Sequence, residues 1–201
     1  RNALTGAMLD GIGAALADFE TATDVGCVVL TGAGGAFCAG GDVKGFAEGG
    51  GAGAAEGSSW DDGVYEQRLN HKATSGKLFE MPKPTLAAIG GAAAGAGLSM
   101  ALACDLRIAL DTSVMTTAFA RVGLAGDYGG TWFLTQLVGP AKAKELYFRS
   151  PRLDAAAALE MGLVNEVLDD DDFGQAAVHW CMDVASKAPI ALSRMKENIN
   201  L

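Results

Sequence analysis

Apolar residues recur at helical spacing near the start of the chain, at Met8, Leu9, Ile12, Ala15, Leu16 and Phe19, with small and charged residues between them. That period predicts an amphipathic helix over residues 5–20. The pattern then changes to short continuous apolar runs, which suit strands buried on both faces. One covers residues 26–31, around Cys27-Val28-Val29-Leu30, and another covers residues 85–89. Between them, residues 61–81 carry apolar positions at Val64, Leu69, Leu78 and Phe79 and run into Pro82-Lys83-Pro84, which predicts a helix that stops where the prolines begin. Residues 48–59, rich in Gly, Ala and Ser without an apolar anchor, read as a mobile loop. Downstream, the strand at 85–89, a small-residue turn, a helix over 95–103 and a strand over 105–109 form a βαβ-like unit. Alternation continues through a strand at 114–116, helices over 130–138, 141–149 and 154–161, and a strand over 163–167. The chain is of the α/β class.

Composition narrows the function classes. With 201 residues, half of them hydrophobic, the chain can bury a substantial core, and residues 1–201 read as a single domain. The net charge of −9 and the lack of a basic stripe exclude a nucleic-acid surface, while leaving room for an anionic ligand held by a few local groups. Cys27, Cys38, Cys104 and Cys181 form no C-x-x-C pair and sit mostly in apolar segments, as free thiols of a reducing, cytoplasmic compartment do. No apolar run approaches the roughly 18 residues of a membrane span and no signal peptide is evident, so no membrane partner is expected. His71 and His179 lack metal-ligand spacing and read as helix-surface residues, so no metal site is expected.

The chemistry concentrates in two small-residue turns, Phe37-Cys38-Ala39-Gly40-Gly41-Asp42 and Gly90-Gly91-Ala92-Ala93-Ala94-Gly95-Ala96-Gly97, each following a strand-like run. Small residues allow close approach of backbone and ligand, and amides at a helix start favour negative charge. Two such turns can aim two N–H donors at one oxygen. This pair, followed by Ala103-Cys104-Asp105-Leu106-Arg107-Ile108-Ala109, resembles the crotonase (enoyl-CoA hydratase/isomerase) family over essentially the whole chain. The resemblance implies a spiral of ββα units with two roughly perpendicular sheets, with N-terminal strands and C-terminal helices of the family missing from the chain. It implies homotrimers or dimers of trimers, and acyl-CoA thioester substrates in which coenzyme A belongs to the substrate rather than to a tightly bound cofactor. It assigns oxyanion donors to the N–H groups of Gly41 and Ala96. It sets the adenine and pantetheine against Ala39, Gly40 and Asp42, with Lys44 in reach of a phosphate; Asp42 also reads as a turn residue and Lys44 as a solvated side chain.

Acid/base residues decide which reaction follows. Hydratases of the family use two glutamates, and this chain has Ser99 and Phe119 at those places. Asp127, in Gly126-Asp127-Tyr128-Gly129-Gly130, matches the aspartate that carries the proton in dienoyl-CoA and epoxyphenylacetyl-CoA-type isomerases. One base can move a proton between two carbons on one face, whereas hydration must also activate water. The expected function is therefore double-bond isomerisation, with a hydratase or a binding-only protein as alternatives. Enclosure by Phe119, Tyr128 and Trp132 would raise the Asp127 pKa; an N-cap for the following helix is its plain structural role. Gly97-Leu98-Ser99-Met100-Ala101 is a poor nucleophile elbow, Gly32-Ala33-Gly34-Gly35 an incomplete dinucleotide fingerprint, and Asp169-Asp170-Asp171-Asp172 a solvated helix start.

Overall fold

Thr5 starts the first helix. Its side-chain oxygen accepts a hydrogen bond from the Met8 N–H at 3.3 Å, and α1 (Gly6–Thr21) buries Leu9 and Leu16. The computed structural model describes residues 1–42, 60–169 and 172–201; Lys44 and the loop expected over 48–59 lie outside the described residues.

The first strand, β1 (Val28–Thr31), begins two residues later than its apolar run. Its partner β2 (Thr85–Ile89) pairs from Val28↔Thr85 onward, and the prolines before Thr85 have no N–H to extend the ladder. The helix expected over 61–81 is three pieces: α2 (Trp60–His71), a π-helical turn (Lys72–Gly76) and α3 (Lys77–Glu80). Two hydroxyls explain the widened turn, since Thr74 Oγ1 donates to the Asn70 carbonyl at 2.6 Å and Ser75 Oγ to the His71 carbonyl at 3.2 Å, competing with the regular ladder.

The small-residue turn holds a short strand, β3 (Ala93–Ala94), that two alanines do not announce. It leads into α4 (Ala96–Ala103), every residue of which is buried. The rest of the chain forms β4 (Leu106–Leu110), β5 (Val114–Thr116), a 3-10 turn (Phe119–Val122), α5 (Gly130–Arg149), β6 (Leu153–Asp154), α6 (Ala155–Glu160), β7 (Glu166–Leu168), α7 (Phe173–Ala185) and α8 (Pro189–Asn200). α5 breaks at Gly139 (φ 76°, ψ 164°) before Pro140, giving the two segments expected over 130–138 and 141–149. The strand expected over 163–167 pairs only from Glu166, because Leu163 and Val164 enter the core instead. Asp172 caps α7 through the Gln175 N–H.

β1, β2, β4 and β7 form a parallel four-stranded sheet in the order β1-β2-β4-β7, and β3, β5 and β6 form a three-stranded one in the order β3-β5-β6. β2, central and buried along its whole length, is flanked by β1 and β4, which accounts for its unbroken apolar sequence. A core of Leu78, Met81, Ile89, Met100, Met115, Leu134 and Leu163 surrounds α4. The C-terminal helix α8 is pinned by Lys196, whose Nζ pairs with Asp105 Oδ2 at 2.8 Å and donates to the Leu78 and Lys83 carbonyls at 2.9 and 3.1 Å.

Candidate active site

The two small-residue turns are hydrogen-bonded to each other. Phe37 and Cys38 N–H both donate to the Ala92 carbonyl at 3.0 Å, and Ala94 N–H returns a bond to the Cys38 carbonyl at 2.9 Å. The first segment straps the outer side: Leu4 N–H donates to the Gly40 carbonyl at 2.9 Å, Ala39 N–H to the Arg1 carbonyl at 3.0 Å, and Asn2 Nδ2 to the Ala33, Ala36 and Phe37 carbonyls. Only glycine fits at two of these contacts. Gly40 has φ 98°, and a Cβ there would lie 2.9 Å from the Ala94 carbonyl oxygen and 3.6 Å from the Ala96 nitrogen. A Cβ on Gly97 would lie 2.5 Å from the Cys38 carbonyl oxygen.

This packing sets the Gly41 and Ala96 amides in adjoining turns. Ala96 opens α4, whose first bond of this kind runs from Ser99 N–H to the Gly95 carbonyl at 3.0 Å, so the Ala96 amide has no partner within its helix. In the first turn, the Gly40 N–H donates to Cys38 Sγ at 3.4 Å, and Gly41 forms a parallel bridge with Leu4. Ala39 is exposed beside them, Gly40 is buried, and Gly41 and Asp42 are half-buried.

Asp127 lies in the turn before α5. Its Oδ1 is buried and, among the described residues, has no hydrogen-bond partner. Burial pushes its carboxyl up from an ordinary 3.8 to about 6, against the lowering effect of a bond from its own backbone N–H. The carboxylate does not cap α5: the N-cap is Gly129, without a side-chain cap bond, and Asp127 contributes its backbone carbonyl, which accepts from Gly130 N–H at 3.0 Å.

The surroundings of Asp127 differ from the expected enclosure. Trp132 is 49% exposed and packs edge-on against Phe79 and Phe133, with ring centres 5.3 and 5.2 Å away. Phe119 is buried but stacks on Tyr147 at 6.0 Å. Tyr128 and Tyr147 are the aromatic neighbours that sense the carboxylate: burial, then the Asp127 charge, pushes each phenol up to about 12. Ser99 is buried, its Oγ donating to the Gly95 carbonyl at 3.4 Å, and it faces Tyr147. Gly130 makes room for both hydroxyls, since a Cβ there would collide with Ser99 Oγ and lie 2.8 Å from Tyr147 Oη.

His71 is not the helix-surface residue its position suggests. It is half-buried, its ring lies 4.2 Å from that of Tyr128, and its Nε2 accepts from the Tyr128 N–H at 3.4 Å. Neither His71 nor Tyr147 carries a sequence signal, because each reaches the site from a helix whose apolar period says only that one face is buried.

Two interlocked glycine turns on an α/β frame, beside a half-buried carboxyl, are an arrangement that can hold an anion and exchange a proton. The chain belongs to the enoyl-CoA hydratase/isomerase family, whose model matches residues 1–201, and it has the crotonase fold. It is 38% identical over 179 residues to a Rhodobacter capsulatus protein named "probable enoyl-CoA hydratase", covering 89% of this chain and 64% of the relative. It is 33% identical over 185 residues to the 1,2-epoxyphenylacetyl-CoA isomerase of Escherichia coli, covering 92% and 68%. The crystal structure of an enoyl-CoA hydratase from Polaromonas sp. superposes with a TM-score of 0.88 at 33% identity, covering 98% of this chain and 74% of that one. The chain thus spans 64% to 74% of the length of these relatives.

Proposed function

We propose that the protein is an acyl-CoA enzyme that stabilises a thioester enolate and moves a carbon–carbon double bond, with Asp127 as the proton carrier. The observation that carries this reading is the buried Oδ1 of Asp127, without a partner among the described residues, on a carboxyl pushed up by burial to about 6. A group in that state is a usable base near neutral pH and a usable acid once loaded.

In a 3-enoyl-CoA the Asp127 carboxylate takes a proton from C2, and the C–H electron pair moves toward the thioester oxygen to form a dienolate. The N–H groups of Gly41 and Ala96 hold that oxygen, each such donor contributing about 3 to 4 kcal/mol of transition-state stabilisation. Protonated Asp127 then returns the proton to C4, the double bond settles between C2 and C3, and the carboxylate is regenerated. The coenzyme A portion lies along the first turn, at Ala39, Gly40 and Asp42, and the subunits assemble as trimers or dimers of trimers.

Ser99 and Phe119, in place of two glutamates, favour this reaction over hydration, and similarity to an isomerase supports it. The test compares full-length wild type with Asp127→Asn on 3-enoyl-CoA and 2-enoyl-CoA in D2O. Conversion of the 3-enoyl to the 2-enoyl thioester with deuterium uptake, lost in the variant by at least about a hundredfold, is expected. Hydration alone, retained in the variant, would make the protein a hydratase; binding without exchange would make it a non-catalytic binder.

A further inference from the structure

We infer that His71 is a positioning residue for Asp127, fixing the peptide that joins Asp127 to Tyr128 and thereby the direction of the carboxylate. The inference rests on the reading of Asp127 as proton carrier.

The turn that presents Asp127 is left-handed at Gly126 (φ 107°), Tyr128 (φ 49°) and Gly129 (φ 72°). Glycine takes such angles freely, but a tyrosine does so at a cost of about 1 to 2 kcal/mol, and keeps the conformation only where its surroundings enforce it. Relieving that strain by rotation about the Tyr128 N–Cα bond would carry the Asp127–Tyr128 peptide, and the whole Asp127 residue with it, relative to α5. Both ends of the peptide are held. Its carbonyl, from Asp127, accepts the Gly130 N–H at 3.0 Å, and its N–H, from Tyr128, donates to His71 Nε2 at 3.4 Å.

The Gly130 bond is internal to the turn, whereas the His71 bond comes from α2, far away in the sequence. The imidazole also packs against the buried Tyr128 ring at 4.2 Å with the planes 49° apart, so one side chain holds both the amide and the ring of the strained residue. His71 itself is set at the end of α2, where the π-helical turn begins and Ser75 Oγ bonds its carbonyl at 3.2 Å. Accepting at Nε2 requires the neutral Nδ1–H tautomer, and burial favours the neutral form. The imidazole has no direct part in the reaction; it acts through the Tyr128 amide.

Two variants of the full-length protein separate this role from simple packing. His71→Leu keeps bulk against Tyr128 and removes the acceptor, while His71→Gln places an amide oxygen near the Nε2 position. The readouts are kcat and KM for the 3-enoyl-CoA, thermal unfolding, and the titration of the Asp127 carboxyl followed by carbon-13 NMR. His71→Leu should lower kcat by about tenfold or more with KM changed less than about twofold, and His71→Gln should recover most of the loss. The Asp127 titration should shift in His71→Leu and stay near its wild-type midpoint in His71→Gln. Equal losses in both variants, or an unchanged kcat and titration in His71→Leu, would overturn the assignment. Should His71→Leu fail to fold, His71→Asn, too short to reach the amide, takes its place with the same expectations. If the wild type exchanges no proton with acyl-CoA, the proposed function fails, and the carboxyl titration alone then decides whether His71 positions Asp127.

Discussion

Above its pKa the Asp127 carboxyl costs the fold stability, because burial opposes its charge. A carboxylate that served only the architecture would have both oxygens capped or paired, and among the described residues Oδ1 has no partner. Because its carboxyl is raised from 3.8 to about 6 in the folded state, the folded protein binds more protons than the unfolded chain between those values. Stability from this group is therefore full below pH 4 and is lost as pH rises through about 6. Asp127→Asn should stabilise the protein at pH 8 by on the order of 1 kcal/mol after solvent screening, and by progressively less toward pH 4, as read from denaturant melts at the two pH values. In the wild type, kcat/KM should climb about tenfold per unit below the carboxyl pKa and level off above it. Asp127 stood out in the sequence through the resemblance of Gly126-Asp127-Tyr128-Gly129-Gly130 to isomerases of the family, since by residue type alone it read as a helix cap. Tyr147 and His71 did not, since one comes from the far end of α5 beyond its break and the other from α2, and neither belongs to a local pattern.

Two turns form one unit because α4 packs its first residues directly onto Cys38. Gly97→Ala would push a methyl to within 2.5 Å of the Cys38 carbonyl oxygen and 2.6 Å of its Cβ. It should cost about 1 to 3 kcal/mol and, by separating the turns, remove most of the activity. Gly139→Ala is the control. A Cβ there meets nothing within 4 Å, and only the backbone conformation opposes it, φ 76° with ψ 164°, a region essentially confined to glycine, so about 1 to 3 kcal/mol should be lost with activity per folded molecule unchanged. Paired unfolding curves and isomerisation rates check both. At this level the sequence was readable wherever one period persisted, as in α1, or where glycine and proline marked a boundary, as at Gly139-Pro140. It was silent at β3, where two alanines pair with β5, and at the π-helical turn, where the hydroxyls of Thr74 and Ser75 find carbonyls one turn back.

The whole molecule closes on Asp105. Its Oδ2 accepts the Thr85 N–H at 2.8 Å and the Thr85 hydroxyl at 3.0 Å at the start of β2, and it pairs with Lys196 of α8 at 2.8 Å. Lys196→Met should cost about 3 kcal/mol, the low end for a broken buried pair, because Asp105 is 22% exposed and keeps its Thr85 partners. Hydrogen exchange should then show α8 losing protection while β2 and β4 keep theirs. Arg107 closes the other end: its Nε and Nη1 donate to the Leu163 and Cys104 carbonyls at 2.7 and 2.6 Å, holding the segment that leads to β7. Sequence by itself determined the α/β class, the two glycine turns and, through their motifs, the family, because each is written in local periodicity or in residues chosen for backbone conformation. Only the tertiary structure decided that the turns bond to each other, that half-exposed Trp132 packs edge-on against Phe79 and Phe133, that Asp127 Oδ1 is buried, and that His71 accepts the N–H of the peptide beside it. Those are facts about which distant segments share a space, and chain order does not encode a distance until the core has closed.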